Sequence, residues 1–189
     1  MSFILASASP RRRELLAGLG LEFEIRPAKG EEHPAPGLSG AETAKRLSRA
    51  KCLEVAASAS PDDVVIAADT VVAADGEILG KPHDASDAKR MLRALSGRSH
   101  WVYTGVTVWK GGALRSAAEG TQVRFRALTD AEIEAYIATG EPMDKAGAYG
   151  IQGRAALFVE GIDGDYFNVV GLPLCRLGEM LKELGIPLI

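Results

Sequence analysis

Asp69 stands at the centre of Val64-Val65-Ile66-Ala67-Ala68-Asp69-Thr70-Val71-Val72-Ala73-Ala74, the one charged residue in an apolar, β-branched run. Such a run predicts a strand buried in a sheet. A carboxylate there carries a large desolvation penalty unless a cation, a donor network or a metal compensates it. Interior acids with arranged partners concentrate at active sites, and a satisfied buried salt bridge is the plainer alternative. Asp75-Gly76 predicts a two-residue hairpin turn between residues 71–74 and 77–80. That register pairs Ala74 with Glu77, Val72 with Leu79 and Thr70 with Lys81, which returns Lys81 to within about one residue of Asp69. Strict alternation puts Lys81 on the face of Thr70, and Gly80 offers a bend.

A second group of candidates lies near the amino terminus. Phe3-Ile4-Leu5-Ala6 reads as a short strand, followed by Ser7-Ala8-Ser9-Pro10-Arg11-Arg12-Arg13-Glu14-Leu15-Leu16. Ser9 fits a helix N-cap with Pro10 at the first helical position. Leu15, Leu16 and Leu19 form the apolar stripe, and Gly20 stops the helix. Arginines 11, 12 and 13 oppose the helix dipole, and a bound polyanion is the simplest compensation. A solvated basic turn is the alternative. Neither Gly-x-x-x-x-Gly-Lys-Ser/Thr nor Gly-x-Gly-x-x-Gly occurs, which excludes a P-loop and a Rossmann fingerprint.

Other polar residues carry weaker signals. Glu31-Glu32 lie in a polar loop over residues 27–40, where acidic pairs are ordinarily solvated. Lys51 sits beside Ala50 and Cys52 on a helix predicted over 41–59, with Ala44, Leu47, Ala50/Cys52 and Val55 toward the core; snorkelling is its ordinary role. His33, His83 and His100 have no ligand-like spacing and read as surface or packing residues. Gln152, in Tyr149-Gly150-Ile151-Gln152-Gly153, is flanked by glycines that permit close backbone approach, and its amide can pair with a nucleobase edge.

The elements that must position these residues alternate along the chain. Strands are predicted over 22–26, 64–74, 77–80, 100–109, 114–126 and 155–162, with helices over 86–95, 129–137 and 171–184. Thr129 and Glu132 form a capping box for the second of these helices. The pattern predicts an α/β fold with a mixed sheet flanked by helices. No repeat or low-complexity linker divides the 189 residues, so 1–189 is expected to be one domain, or two closely joined lobes. A net charge of −3 and a pI near 5.7 argue against broad nucleic-acid binding. Cys52 and Cys175 show no metal spacing and make no disulfide framework. Met1 leads straight into a strand and no apolar stretch is long enough to span a membrane, so the expectation is a soluble, cytoplasmic protein.

Together these segments resemble the Maf family. The resemblance is carried by Ala6-Ser7-Ala8-Ser9-Pro10-Arg11-Arg12, Ala67-Ala68-Asp69-Thr70-Val71-Val72, Leu79-Gly80-Lys81-Pro82, Tyr103-Thr104-Gly105-Val106, residues 140–153 and Val169-Val170-Gly171-Leu172-Pro173-Leu174, nearly end to end and in order. It implies a nucleotide pyrophosphatase that converts a nucleoside triphosphate to the monophosphate and pyrophosphate with a divalent metal, Mg²⁺ or Mn²⁺. It also implies an elongated Maf/ITPase-like α/β fold with two lobes around a central cleft, and a homodimer. By position, Asp69 matches the family's proton acceptor, and Glu32, Lys51 and Lys81 its charged catalytic set, with Asp69 and Glu32 able to hold the metal. Ser7, Arg11 and Arg12 match the phosphate-binding turn. Arg11, Thr70 and Gln152 match the positions that separate branches, and these residue types are those of the branch similar to dTTP/UTP pyrophosphatases. Glu31-Glu32 stands where many members have Asp-Glu, and Tyr166-Phe167-Asn168 is a stretch to which the resemblance assigns no role. Two other readings use the same pocket: a housecleaning pyrophosphatase for modified nucleotides, and a non-catalytic nucleotide-binding regulator of division. The regulator would be marked by loss of the acids, yet Asp69 and Glu32 are both present.

Overall fold

The computed structural model describes residues 1–30 and 37–189. β1 (Phe3–Leu5) lies between β2 (Phe23–Ile25) and β3 (Val64–Ala74), and all three run parallel. Helix α1 (Pro10–Ala17) follows β1, and α2 (Gly40–Ala56) precedes β3. After the hairpin strand β4 (Glu77–Leu79) and helix α3 (Ala85–Leu95), the long antiparallel pair β5 (Ser99–Lys110) and β6 (Ala113–Phe125) extends the sheet. Then come α4 (Asp130–Ile137), edge strand β7 (Val159–Asp163), α5 (Tyr166–Val170) and α6 (Leu174–Glu183). The strand order is β2-β1-β3-β5-β6-β7, with β4 paired to β3. This is the mixed, helix-flanked α/β sheet that the alternating pattern predicts.

β3 alternates between two cores. Val65 and Ala67 pack with Cys52 and Val55 of α2, and Val71 with Ala44 and Leu47 of the same helix. Val64, Ile66 and Ala68 pack with Leu16 of α1 and with Leu177 and Leu181 of α6. By the same period of two, Asp69 faces α2 and Thr70 faces α1. α2 lies very close to the sheet because Gly105, the cross-strand partner of Asp69, has no side chain. A Cβ there would stand 2.1 Å from the Ala44 carbonyl oxygen.

The ladder on β3 has a break. On one edge it pairs with β5 from Val64 to Ala73. On the other, β1 pairs with Val64 to Ile66 and β4 with Val72 to Ala74. Between them, among the described residues, no strand pairs with 67–71 on this second edge.

Several expectations are corrected. The hairpin ladder ends at Val72↔Leu79, so Lys81 lies beyond it and does not pair with Thr70. α1 ends at Ala17, leaving Leu19 39% exposed, and Ala50 is exposed while Cys52 faces the core. Residues 153–158 form a 3₁₀ turn before β7, not a strand. Ala155 and Phe158, three apart, are the buried pair, which is the period of a 3₁₀ turn rather than of a strand. The helix expected over 171–184 begins at Leu174, because Gly171 has φ +127° and breaks the chain away from α5.

Candidate active site

A cavity of about 740 Å³ opens at the break in the β3 ladder, outside the carboxyl end of β1. Crevices at the carboxyl ends of strands, where helices depart to opposite faces, are where open α/β sheets bind ligands. Ser7, Arg11, Arg12, Lys51, Asp69, Thr70, Lys81 and Gln152 all line it. Glu31 and Glu32 lie outside the described residues.

Asp69 is 6% exposed and accepts a hydrogen bond from the Lys51 ammonium, in an ion pair. The close seat of α2 against Gly105 brings Lys51 within reach, so the cation that the buried acid requires comes from a helix rather than from the hairpin. Lys81 joins the same cavity from the turn after β4. That turn is tied to the Gln152 segment, since the Gly147 N–H donates to the Gly80 carbonyl at 3.0 Å.

The amino-terminal turn is built as expected, and its arginines divide the work. Ser9 caps α1, accepting from the Arg12 N–H at 3.5 Å, with Pro10 in the first turn. Arg12 is a strut: Nε donates to the Gly171 carbonyl at 2.8 Å, Nη1 to Ser7 Oγ at 3.2 Å and Nη2 to Thr70 Oγ1 at 3.1 Å. Arg13 points to solvent. Arg11 is half-buried on the cavity wall and interacts electrostatically with Asp144.

The Gln152 segment is held from behind. His100 Nε2 and the Tyr149 hydroxyl share a 2.7 Å hydrogen bond inside the core, and burial pushes the His100 pKa down to about 4. His100 is thus the packing histidine that its lack of ligand spacing suggests. Lys145 Nζ donates to the Glu141 carbonyl and to Asp144, each at 2.6 Å. Burial opposes ionisation of Asp144, but Lys145 and Arg11 outweigh it and hold the carboxyl below its usual range.

Sequence reasoning missed Asp144 and Lys145, which line the cavity, and Thr104 and Asn168, which stand behind its wall. Asn168 is a lone amide among aromatic and β-branched residues, the same kind of signal that exposed Asp69. Among the described residues no group of three or more His, Cys, Asp or Glu gathers as a metal cluster, and no helix is long and apolar enough to cross a membrane. The arrangement offers one buried carboxylate with lysines 51 and 81 and Arg11 around it, which suits a polyanion brought against a base.

Comparison with known proteins places the chain among nucleotide-hydrolysing relatives. The chain is 54% identical to the dTTP/UTP pyrophosphatase of Moorella thermoacetica over 185 residues, covering 97% of this chain and 95% of that one. It is 52% identical to the dTTP/UTP pyrophosphatase of Anaeromyxobacter dehalogenans over 189 residues, covering 98% and 95%. Among solved structures, the Staphylococcus aureus Ham1 protein superposes with a TM-score of 0.53 at 11% identity, covering 97% of this chain and 100% of that one. A HAM1 protein from Coxiella burnetii gives 0.52 at 15% identity, covering 97% and 99%. At such identities these two likenesses speak for the fold alone. The profile of the Maf-like proteins matches residues 2–184, and with relatives this similar over nearly its whole length the chain belongs to the Maf family.

Proposed function

We propose that this enzyme hydrolyses dTTP and UTP between the α- and β-phosphates, releasing the nucleoside monophosphate and pyrophosphate. The observation that carries the reading is Asp69, buried and ion-paired with Lys51 at the break in the sheet, within a cavity that Lys81 and Arg11 also line. The names of its relatives, at about half identity over the whole chain, supply the substrate pair.

In this reading Asp69 orients the attacking water and receives its proton, as a positioned base with a short path to the reacting atom. Lys51, Lys81 and Arg11 neutralise the charge that grows on departing pyrophosphate. Ser7 and Arg12 shape the phosphate end of the cavity, and Thr70 and Gln152 its selectivity. The Gln152 amide offers an acceptor to N3–H and a donor to a carbonyl of uracil or thymine, a pattern cytosine does not reproduce. The Asp69 carboxylate is a hard oxygen donor of the kind Mg²⁺ or Mn²⁺ takes together with substrate phosphates, and Glu32 is a second candidate ligand. Such a cation supplies charge neutralisation and lowers the pKa of water. A cytoplasmic homodimer completes the reading.

A panel of nucleoside triphosphates, assayed for pyrophosphate release with Mg²⁺, Mn²⁺ or chelator, tests it. The expected result is metal-dependent release with dTTP and UTP ahead of CTP and the purines. Release of inorganic phosphate alone, or turnover unaffected by chelator, would refute it.

A further inference from the structure

Asn168 and Thr104 lie behind the cavity wall, and neither has a role in the reaction as described so far. Asn168 is fully buried in the short helix α5, and its amide bonds β5 as a neighbouring strand would. Oδ1 accepts from the Thr104 N–H at 3.0 Å, while Nδ2 donates to the Val102 carbonyl at 3.0 Å and to Thr121 Oγ1 at 2.9 Å. Thr104 Oγ1 in turn donates to the Asn168 peptide carbonyl at 2.8 Å.

These contacts fix the direction of every proton in the chain. A carbonyl only accepts, so the single hydroxyl proton of Thr104 is committed to Asn168. The 2.9 Å contact between Thr70 Oγ1 and Thr104 Oγ1 must then be donated by Thr70. With its own proton committed, Thr70 accepts from Arg12 Nη2 at 3.1 Å. The bonds run one way, from guanidinium to Thr70 to Thr104 to the Asn168 carbonyl.

We infer that Thr104 and Asn168 are positioning residues for the nucleotide site: they turn the Thr70 proton away from the cavity and hold Arg12 in place. This rests on the pyrophosphatase reading above. Thr70 then meets a bound nucleotide as an acceptor only, so the group facing it must be a donor, such as an imide N–H or a sugar hydroxyl. Without the Thr104 hydroxyl nothing accepts the Thr70 proton, which is then free to turn toward the cavity, and the acceptor-only polarity that Thr70 presents there is lost.

Thr104→Val and Thr104→Ser separate this from packing. Valine keeps the shape and removes the hydroxyl; serine keeps the hydroxyl and removes a buried methyl. With kcat and KM measured for pyrophosphate release from dTTP, and melting followed alongside, Thr104→Val should lose about tenfold in kcat/KM while Thr104→Ser stays within about threefold of the parent. Thr104→Ala is a second hydroxyl-free variant and should lose at least as much as Thr104→Val. A role in packing alone predicts the opposite order, with serine worse than valine, and that result overturns the proposal; so does a loss of kcat/KM in Thr104→Val that is matched by loss of folded protein in the melts. So does a Thr104→Val enzyme as active as the parent. If the parent itself releases no pyrophosphate, the pyrophosphatase reading fails and takes the proposal with it; a parent that turns over beside an equally active Thr104→Val fails the proposal alone.

Discussion

Replacing Arg12 by alanine should weaken the protein as well as its grip on phosphate, whereas Arg11→Ala should do only the second. The Arg12 guanidinium joins three segments far apart in sequence, bonding Gly171 O at 2.8 Å, Ser7 Oγ at 3.2 Å and Thr70 Oγ1 at 3.1 Å. Hydrogen bonds to a charged group each contribute about 1.5–3 kcal/mol when shielded from water. Arg12 is only half-buried, and water in the cavity can replace part of what is lost. The three together are then worth about 2–4 kcal/mol, near the upper end of what single substitutions cost. For a chain of this size that lowers the melting temperature by roughly 5–15 °C. Arg11 makes no hydrogen bond to the described residues, so its removal should change stability by no more than about 0.5 kcal/mol. Thermal melts and calorimetric titration with pyrophosphate, run on both variants, provide the comparison. Arg11→Ala should bind pyrophosphate several-fold more weakly while melting like the parent. An Arg12→Ala protein that melts within a degree or two of the parent would refute the strut.

Asp69→Asn keeps the shape and the acceptor for Lys51 but removes basicity and metal affinity, so turnover should fall at least about a hundredfold in a protein that stays folded. Near-parental pyrophosphate release from that variant would defeat the assignment. Gln152→Glu replaces the amide donor by a second acceptor, and an unmatched buried pair costs about 1–3 kcal/mol, so the preference for dTTP over CTP should shrink roughly tenfold or more; unchanged kcat/KM ratios would reject the contact. His100 titrates at about 4 in the fold against the ordinary histidine value of 6.5, because burial disfavours its charged form. The unfolded chain therefore takes up this proton first, so the contribution is whole above pH 6.5 and is lost as the pH falls toward 4, by about 3 kcal/mol. His100→Gln should flatten that acid limb in denaturant titrations, and identical slopes for parent and variant would contradict it.

How much of this was legible depended on whether the signal was local. The buried run around Asp69, the Ser9-Pro10 cap, the Asp75-Gly76 turn and the Thr129-Glu132 capping box each state their structure within a few residues, and each is present in the fold. The partner of Asp69 is different in kind. Local pairing points to Lys81, but Lys51 makes the ion pair, because the seat of α2 is set by Gly105 on β5, beyond β3, β4 and α3 in the chain, a contact that no window of sequence contains. α5 was illegible for the same reason. Tyr166-Phe167-Asn168-Val169-Val170 favours a strand by propensity, and it is helical because Asn168 binds β5 and Asp165 accepts from the Phe167 N–H. The arginine turn was legible as a site but not in its division of labour, since what distinguishes Arg12 from Arg11 is the reach to Gly171 and Thr70.

The break in the β3 ladder explains how one short piece of strand serves the whole site. Alternation sends Asp69 toward α2 and Thr70 toward α1, and in a sheet paired on both edges a full strand would separate them. Here, among the described residues, no strand neighbours residues 67–71 on the edge away from β5, so side chains from both faces reach one cavity. Two prolines border the gap. Pro10 starts α1 and turns the chain out of the line of β1, while Pro82, lacking an N–H, cannot continue the ladder of β4 past Lys81. The carboxylate and the oriented hydroxyl thus come from consecutive residues of a rigid strand, whose backbone advances only about 3.3 Å from one to the next. Lys51 steadies the first from the helix on one face of the sheet, and Arg12 of α1 and Asn168 of α5 orient the second from the other, Asn168 acting through Thr104 of β5. In the proposed function a nucleotide entering at the break would meet both at once, with Lys51 beside the carboxylate on one face and Arg12 beside the hydroxyl on the other.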